Sequence, residues 1–219
     1  MTQRAIQWGI AGQSGRSSNS NTGELVNLYA EGRPQNSKSP IALFGTPGLT
    51  LFSTLPTSKV LAMRSMDGVL YALTETALYS ITSLGVATSI GTVVLSGFVS
   101  ITDNGTSLIF VDGTKGYTYS VSAGLVELTA GDNWYPGNTV TFQDGYLILD
   151  RSDTNQFFIS NINSTTFTAT DFASVNGDTS DIIAVISDHR ELWLFTSFAV
   201  EIWYNSGNAD FTFERMQGA

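Results

Sequence analysis

A β-hairpin turn signal that recurs at regular intervals constrains this chain more than any other feature. Asp67-Gly68, Asn104-Gly105 and Asp144-Gly145 each separate two runs of β-prone residues, and such dipeptides are the strongest short-range hairpin signal. We place a fourth turn at Asp188-His189, which gives intervals of 37, 40 and 44 residues between the first residues of successive turns. A repeat of about 40 residues is typical of propellers and other repeat architectures.

Each turn is followed by three runs that read as strands: a dense apolar run, an aromatic run and a weaker third run. The dense runs are residues 70–73, 108–111, 146–149 and 192–195. The aromatic runs are 78–81, 117–120, 157–160 and 200–204, and the weaker runs are 88–90, 126–128, 167–169 and 211–213. With the strand before each turn, every repeat has four strands, which predicts an all-β fold, a β-propeller of four-stranded blades.

The dense runs have no polar alternation, so we expect the middle strands to be covered on both faces, including 192–195 in the last repeat. The predicted blades are approximately 57–95, 96–133, 134–178 and 179–219. Four blades lie at the lower limit of the usual range of about 4–8. Two alternatives stay open: a small closed propeller, or an incomplete propeller that is part of a longer arrangement.

An N-terminal arm, residues 1–56, is predicted before the blades. It holds four of the five prolines and a polar Gly/Ser-rich stretch at 12–23, which is typical of loops. Short strands are predicted at 25–29, 41–44 and 49–52. Pro47-Gly48 favours a type II turn between the last two.

Composition excludes several classes of protein. The formal net charge is −9, with ten scattered Lys and Arg residues, so strong binding to nucleic-acid phosphates is not expected. There is no cysteine and only one histidine, which removes disulfides and the usual zinc ligands. The most apolar stretch, 191–207, is interrupted by Thr196, Ser197 and Glu201, so it does not predict a membrane-spanning helix of about 20 residues.

No motif predicts a catalytic, cofactor-binding or metal-binding residue. Glu201 interrupts an apolar strand, and two roles are open for it. It is a catalytic residue if it faces a cavity beside another acid. It is a framework residue if it accepts hydrogen bonds from backbone amides or from an Arg side chain. Trp134-Tyr135 lies between two predicted blades, where it forms either a contact patch or packing over a blade edge. Trp203 belongs to an aromatic strand of the last blade. These four residues are the candidate interaction or framework positions.

Two parts of the chain resemble a known family. Leu25-Val26-Asn27-Leu28-Tyr29 with Thr46-Pro47-Gly48-Leu49, and the closing runs 192–195 and 200–207, are similar to phage packaged-DNA stabilisation proteins, the tail accessory factors or tail hub proteins of short-tailed phages. The resemblance is looser between residues 54 and 133. The matching residues are framework strands and turns, so they indicate kinship and no catalytic site.

The resemblance implies a non-enzymatic structural protein of the virion tail, assembled in the bacterial host cytoplasm. It implies a homo-oligomer below the portal and its adaptor ring that stabilises packaged DNA and binds the tail needle or tailspikes. A neutral or acidic lumen would let DNA pass during ejection without holding it. The alternative is a carbohydrate-binding or glycan-hydrolysing β-propeller, whose cleft would gather Asp, Glu and Trp.

Overall fold

The computed structural model describes residues 26–34, 36–37, 41–56, 59–177 and 179–217. Their 18 strands form one two-stranded and four four-stranded antiparallel sheets, which confirms the all-β prediction and the four-stranded repeat. The chain divides into two compact units, Met1–Leu51 and Phe52–Ala219.

The first unit contains a β-hairpin. Strand β1 (Leu28–Gly32) pairs with β2 (Ile41–Gly45), and the ring of Tyr29 stacks on that of Phe44 at 5.6 Å between centroids. The start of the strand predicted at residue 25 lies outside the described residues. Two expectations were wrong: no strand forms at 49–52, and Gly48 lacks the positive φ that a type II turn requires at this position.

The second unit contains the four blades, each a meander in which every strand pairs with the next along the chain. Blade 1 has β3 (Val60–Met66), β4 (Val69–Thr74), β5 (Ala77–Ile81) and β6 (Ala87–Thr92), and blade 2 has β7 (Ser100–Asp103), β8 (Ser107–Val111), β9 (Gly116–Ser120) and β10 (Gly124–Leu128). Blade 3 has β11 (Val140–Gln143), β12 (Tyr146–Asp150), β13 (Gln156–Ser160) and β14 (Phe167–Ser174), and blade 4 has β15 (Ile182–Asp188), β16 (Glu191–Thr196), β17 (Val200–Asn205) and β18 (Phe213–Arg215).

The first hairpin turns of blades 1 and 3 follow from backbone preferences. Asp67-Gly68 and Asp144-Gly145 have positive φ at both positions, as a two-residue type I′ turn requires. In blade 4 the turn residues are instead His189-Arg190, with φ of 49° and 67°.

Two predicted turn positions were therefore one residue too early. In blade 4, Asp188 still pairs with Glu191 as part of the strands. In blade 2, the amide of Asn104 donates to the carbonyl of Ser107 at 3.1 Å, so the central residues are Gly105 and Thr106. Of these two only Gly105 has positive φ, at 88°, which suits a type II′ turn.

Three hydrophobic clusters hold the blades together, and each cluster joins two neighbouring blades. The inner strands contact one another in the order β3, β7, β11, β15. Among the described residues, no cluster and no comparable strand contact joins β15 back to β3. The four blades that the structure describes therefore form an open arc and not a small closed propeller.

Polar side chains on the inner strands add specific links between blades. The hydroxyls of Thr139 and Thr141 accept hydrogen bonds from the amides of Val185 and Ser187, at 2.9 and 3.1 Å. At the first interface the Arg64 guanidinium donates to the Asp103 carboxylate at 2.6 Å. These contacts fix the register between blades, because backbone groups and side chains must meet at hydrogen-bonding distance.

Candidate interaction surface

Every blade has two faces, and the position of a residue after the first hairpin turn determines which face it occupies. The second and fourth residues after the turn point to the previous blade, and we call these positions backward. The third and fifth residues, which we call forward positions, point to the next blade. Leu108 and Phe110 are backward and pack with blade 1, whereas Ile109 and Val111 are forward and pack with blade 3.

The same rule holds in blades 3 and 4. Backward residues Leu147 and Leu149 pack against blade 2, and forward residue Ile148 packs against blade 4. In blade 4, backward residues Leu192 and Leu194 are fully buried against blade 3. The middle strands thus bury alternate residues against different neighbours, as a period-2 strand must.

Among the residues that the structure describes, no blade packs on the forward face of blade 4. Trp193 and Phe195 occupy its forward positions, and both are only partly buried, whereas the equivalent Ile109 and Val111 of blade 2 are inaccessible to solvent. The prediction that 192–195 is covered on both faces was therefore wrong. The apolar run has the composition of a fully buried strand, but one of its faces is open in this arc.

Cross-strand pairs make this face continuous over three strands. Trp193 lies between Ile186 and Ile202 in the central row, and Phe195 lies between Ala184 and Val200 in the next row. Ile186 is 50% exposed and Val200 is 45% exposed. We call these six residues the open face. Exposed apolar patches with aromatic residues are characteristic of protein interaction sites.

An acidic row borders the open face on the side of the first hairpin turn. Asp188, Glu191, Tyr204 and Glu214 are cross-strand neighbours in this row. A hydrogen bond from the Asn208 side chain lowers the pKa of Glu214, so this carboxylate is ionised at neutral pH. The surface therefore combines an apolar centre with a negatively charged edge.

Glu201 lies on the opposite, covered face of blade 4 and is 1% exposed. Its carboxylate accepts hydrogen bonds from the backbone amides of Asn176 and Gly177 and from the indole N–H of Trp203, and it is 3.4 Å from the guanidinium of Arg215. Glu201 thus ties the connection between blades 3 and 4 to strands β17 and β18. It occupies a framework position.

Trp203 is also part of the framework. It is 6% exposed, and its ring meets that of Phe157 edge-on at 5.0 Å between centroids. Because the indole N–H has Glu201 as its acceptor, the ring can be buried without losing a hydrogen bond.

Trp134 and Tyr135 pack at the interface of blades 2 and 3. Trp134 is 5% exposed, and its ring lies so close to Gly116 that a Cβ there would be 2.6 Å from Cζ2. Tyr135 is partly buried, with the guanidinium of Arg151 over its ring at 4.0 Å and the ring of Phe158 edge-on. The predicted contact patch is therefore not exposed, and the packing alternative describes both residues.

A polar groove lies at the outer side of blades 3 and 4. It is lined by Tyr146, Asn161, Asp171, Asp210 and Phe211, among others, but not by Glu201.

Across the described ranges, no group of three or more His, Cys, Asp or Glu side chains is placed to hold a metal ion. No described helix has the length and apolar character needed to cross a bilayer.

The sequence contains a further signal for the open face. Three residues before the first turn residue, blades 1, 2 and 3 carry Arg64, Thr102 and Thr141, and blade 4 carries Ile186. In blades 1 and 3 this side chain bonds to the next inner strand. An isoleucine side chain cannot form a hydrogen bond, so blade 4 lacks the link to a next strand that blades 1 and 3 form at this position.

Several solved structures have folds similar to that of this chain. The chain matches the computationally designed Ika4 protein with a TM-score of 0.51 at 10% identity, over 72% of this chain and 99% of that one. It matches virginiamycin B lyase from Staphylococcus aureus with a TM-score of 0.50 at 17% identity, over 80% and 58%. The N-terminal domain of Nup159 gives 0.51 at 12% identity, over 87% and 58%.

At these identities the likeness concerns the fold alone, and the chain spans less than two thirds of the lyase and of the Nup159 domain. No curated protein matches the sequence significantly. A family sequence model does match, over residues 7–219, and its description is bacteriophage P22 Gp10, β-propeller. This match confirms both the β-propeller prediction and the suspected resemblance: the chain belongs to the phage stabilisation family of P22 Gp10.

Proposed function

We propose that this protein is a structural tail hub of a short-tailed phage that works through protein–protein surfaces. It assembles as a homo-oligomer below the portal and its adaptor ring, keeps packaged DNA inside the capsid, and connects to the tail needle or tailspikes. Membership of a family of phage structural proteins supports the general class. The observation that carries the proposal is the open face of blade 4, an apolar surface without reacting groups.

The inner strands support a role in which DNA passes without being held. Strands β3, β7, β11 and β15 contain one Lys or Arg among their described residues, Arg64. Its guanidinium is paired with the Asp103 carboxylate at 2.6 Å. Affinity for DNA comes mainly from cations that neutralise phosphates, so these strands offer little to retain the duplex.

The carbohydrate-active alternative loses its candidate acid in this geometry. The Glu201 carboxylate accepts hydrogen bonds from the amides of Asn176 and Gly177 and from the indole of Trp203, it is paired with Arg215, and the groove does not include it. A glycosidase needs two carboxyl groups on opposite sides of a sugar, about 5–9.5 Å apart. Glycan hydrolysis that disappears in Glu201→Gln would revive this alternative.

Phage particles made without this protein provide the test. We expect such particles to lose their packaged DNA, measured as nuclease-sensitive DNA. Particles assembled with the protein supplied in trans should retain it. Purified virions should contain the protein at their tail in immunogold images. Particles that retain DNA and infect normally without the protein would refute the proposed function.

A further inference from the structure

The geometry points to a self-modifying site at Asn104-Gly105, in the first hairpin turn of blade 2, where the asparagine is converted to aspartate and isoaspartate without an enzyme. The nucleophile is the backbone nitrogen of Gly105, and the electrophile is the side-chain carbon Cγ of Asn104. This reaction goes beyond the structural role proposed above, because it needs no partner and no bound ligand. The chain contains two Asn-Gly pairs, at 104–105 and 176–177, so the second pair serves as an internal comparison.

A carboxylate lies at the attacking nitrogen. The amide of Gly105 donates a hydrogen bond to Oδ1 of Asp103 at 2.8 Å, which is where a general base must lie to accept the amide proton. The other carboxylate oxygen of Asp103 is 2.6 Å from the Arg64 guanidinium, and this pair holds the carboxylate beside the turn. A Cβ at Gly105 would meet no atom within 4 Å, so water can reach the turn and no side chain of this residue hinders its nitrogen.

Three donors converge on the carbonyl oxygen of the asparagine side chain. Oδ1 of Asn104 accepts hydrogen bonds from the amide and the hydroxyl of Thr106, at 3.1 and 3.0 Å, and from the amide of Ser107 at 2.8 Å. Negative charge develops on this oxygen when the nitrogen adds to Cγ, and donors placed at such an oxygen stabilise the transition state. The base, the nucleophile and the oxygen-binding donors therefore all belong to residues 103–107.

The reaction needs only water as a co-reactant. The nitrogen of Gly105 forms a bond to Cγ of Asn104 while its proton passes to the Asp103 carboxylate. The bond between Cγ and Nδ2 then breaks, the departing nitrogen takes up that proton and leaves as ammonia, and a succinimide ring remains. Water opens the ring at either carbonyl, which gives aspartate or isoaspartate at position 104 with nothing oxidised or reduced. The product gains a carboxylate beside Asp103, and isoaspartate also lengthens the backbone of the β7–β8 hairpin.

The second Asn-Gly pair has the same sequence in a different environment. The amides of Asn176 and Gly177 both donate to Oε1 of Glu201, at 3.1 and 2.5 Å. A Cβ at Gly177 would lie 2.9 Å from that oxygen, so this glycine is enclosed. Within the part of the chain that the structure describes, no donor is bound to the side-chain oxygen of Asn176. We therefore expect Asn104 to react faster than Asn176 in the folded chain, and unfolding should bring the two rates together.

Peptide mapping by mass spectrometry measures the conversion in the full chain. Trypsin releases residues 65–115, in which Asn104 is the only asparagine, and residues 152–190, which contain Asn176. During incubation at mildly alkaline pH, the first peptide should gain the mass difference between an amide and a carboxyl group and separate into aspartate and isoaspartate forms. In the folded chain, we expect Asn104 to react at least about tenfold faster than Asn176, because only its side-chain oxygen has donors. In guanidinium chloride the two rates should become similar.

Paired variants test the roles of the turn residues. Asp103→Asn keeps an acceptor for the Gly105 amide but removes the base, and should slow the reaction at least about tenfold, since a positioned base typically contributes about 10²–10⁴. Its control is Asp67→Asn, in the exposed turn of blade 1, which should leave the rate unchanged. Thr106→Val removes one of the three donors and should slow the reaction about two- to tenfold. Thr106→Ser keeps the hydroxyl and should retain the wild-type rate.

Circular dichroism and unfolding curves verify that each variant is folded, and fragmentation spectra locate the change at residue 104. Equal rates at Asn104 and Asn176 in the folded chain would overturn the inference, and so would a wild-type rate in folded Asp103→Asn or Thr106→Val. Aspartate without isoaspartate would also overturn it, because hydrolysis that bypasses the succinimide gives aspartate alone. These outcomes do not depend on the proposed function, since they concern one bond in the isolated chain and not DNA retention by virions.

Discussion

Replacing Glu201 should destabilise the propeller strongly, because the carboxylate is buried and holds several donors at once. Glu201→Ala leaves the amides of Asn176 and Gly177 and the indole N–H of Trp203 without their acceptor, and removes the partner of Arg215. Glu201→Gln keeps one acceptor oxygen but turns an amide N–H₂ toward a donor. The two variants therefore remove different fractions of the same network.

The magnitude follows from what each variant leaves unsatisfied. Removing one partner of a buried charge pair costs about 3–5 kcal/mol, and each buried donor left without an acceptor costs about 1–3 kcal/mol. Arg215 is itself partly exposed and can be solvated by water, so we expect about 3–5 kcal/mol for Glu201→Ala. One donor conflict in Glu201→Gln should cost about 1–3 kcal/mol.

Urea unfolding followed by tryptophan fluorescence measures these differences directly. In a chain of this size a loss of 1 kcal/mol lowers the midpoint of thermal unfolding by about 2–4 °C, so the alanine variant should melt roughly 6–20 °C lower. The matched control is Glu127→Gln, whose exposed carboxylate pairs with Lys115. Exposed pairs contribute about 0–1 kcal/mol, so this control should unfold almost as the wild type does.

The ranking of the three variants is the critical result. The exposed control Glu127→Gln should have a free energy of unfolding within about 1 kcal/mol of the wild-type value, the usual range for surface pairs. If Glu201→Ala also lies within about 1 kcal/mol of wild type, then Glu201 does not secure the connection between blades 3 and 4. A Glu201→Gln loss equal to the alanine loss would show that the negative charge, and not the number of acceptors, supports the network.

Two further predictions concern single sites. Gly116→Ala should lower the free energy of unfolding in urea by about 1–3 kcal/mol, because its Cβ would lie 2.6 Å from the buried Trp134 ring. The control Gly131→Ala, whose Cβ would have its nearest neighbour at 3.5 Å, should change the free energy of unfolding little. Equal losses of stability in the two variants would contradict the packing argument. The hydrogen bond with Asp188 raises the pKa of His189 above 6.5, so an NMR titration of this single histidine should shift to lower pH in Asp188→Asn. Since the pKa of His189 is higher in the folded than in the unfolded chain, the pair with Asp188 stabilises the fold fully below the unfolded pKa. This stabilisation disappears as the pH rises through the folded pKa. An unchanged His189 titration in Asp188→Asn would exclude the pairing.

Local signals in the sequence were sufficient where backbone geometry alone decides the structure. Asp67-Gly68 and Asp144-Gly145 predict their turns because Gly and Asp tolerate positive φ. The fourth turn has no glycine, and the pairing of Asp188 with Glu191 places it at His189-Arg190. There the register of the strands, set by burial of Leu192, outweighed the local residue preference.

The role of each candidate site residue could not be predicted, because it depends on which blade packs on which face. Trp134 and Trp193 are both tryptophans in β-rich surroundings, yet one fills an interface between blades and the other lies on the open face. Glu201 interrupts an apolar strand in either case, and the sequence does not reveal that Asn176 and Gly177 converge on it. These distinctions arise from contacts between residues far apart in the chain.

The pairwise nature of the three hydrophobic clusters implies a gradient of local opening along the arc. Each blade gains cohesion from its immediate neighbours alone, as in other repeat proteins, so blades 2 and 3, with two partners each, should protect their amide hydrogens longest. Blades 1 and 4, with one partner each, should exchange earlier with deuterated solvent. A partner that covered the open face of blade 4 would convert an easily opened blade into an interior one.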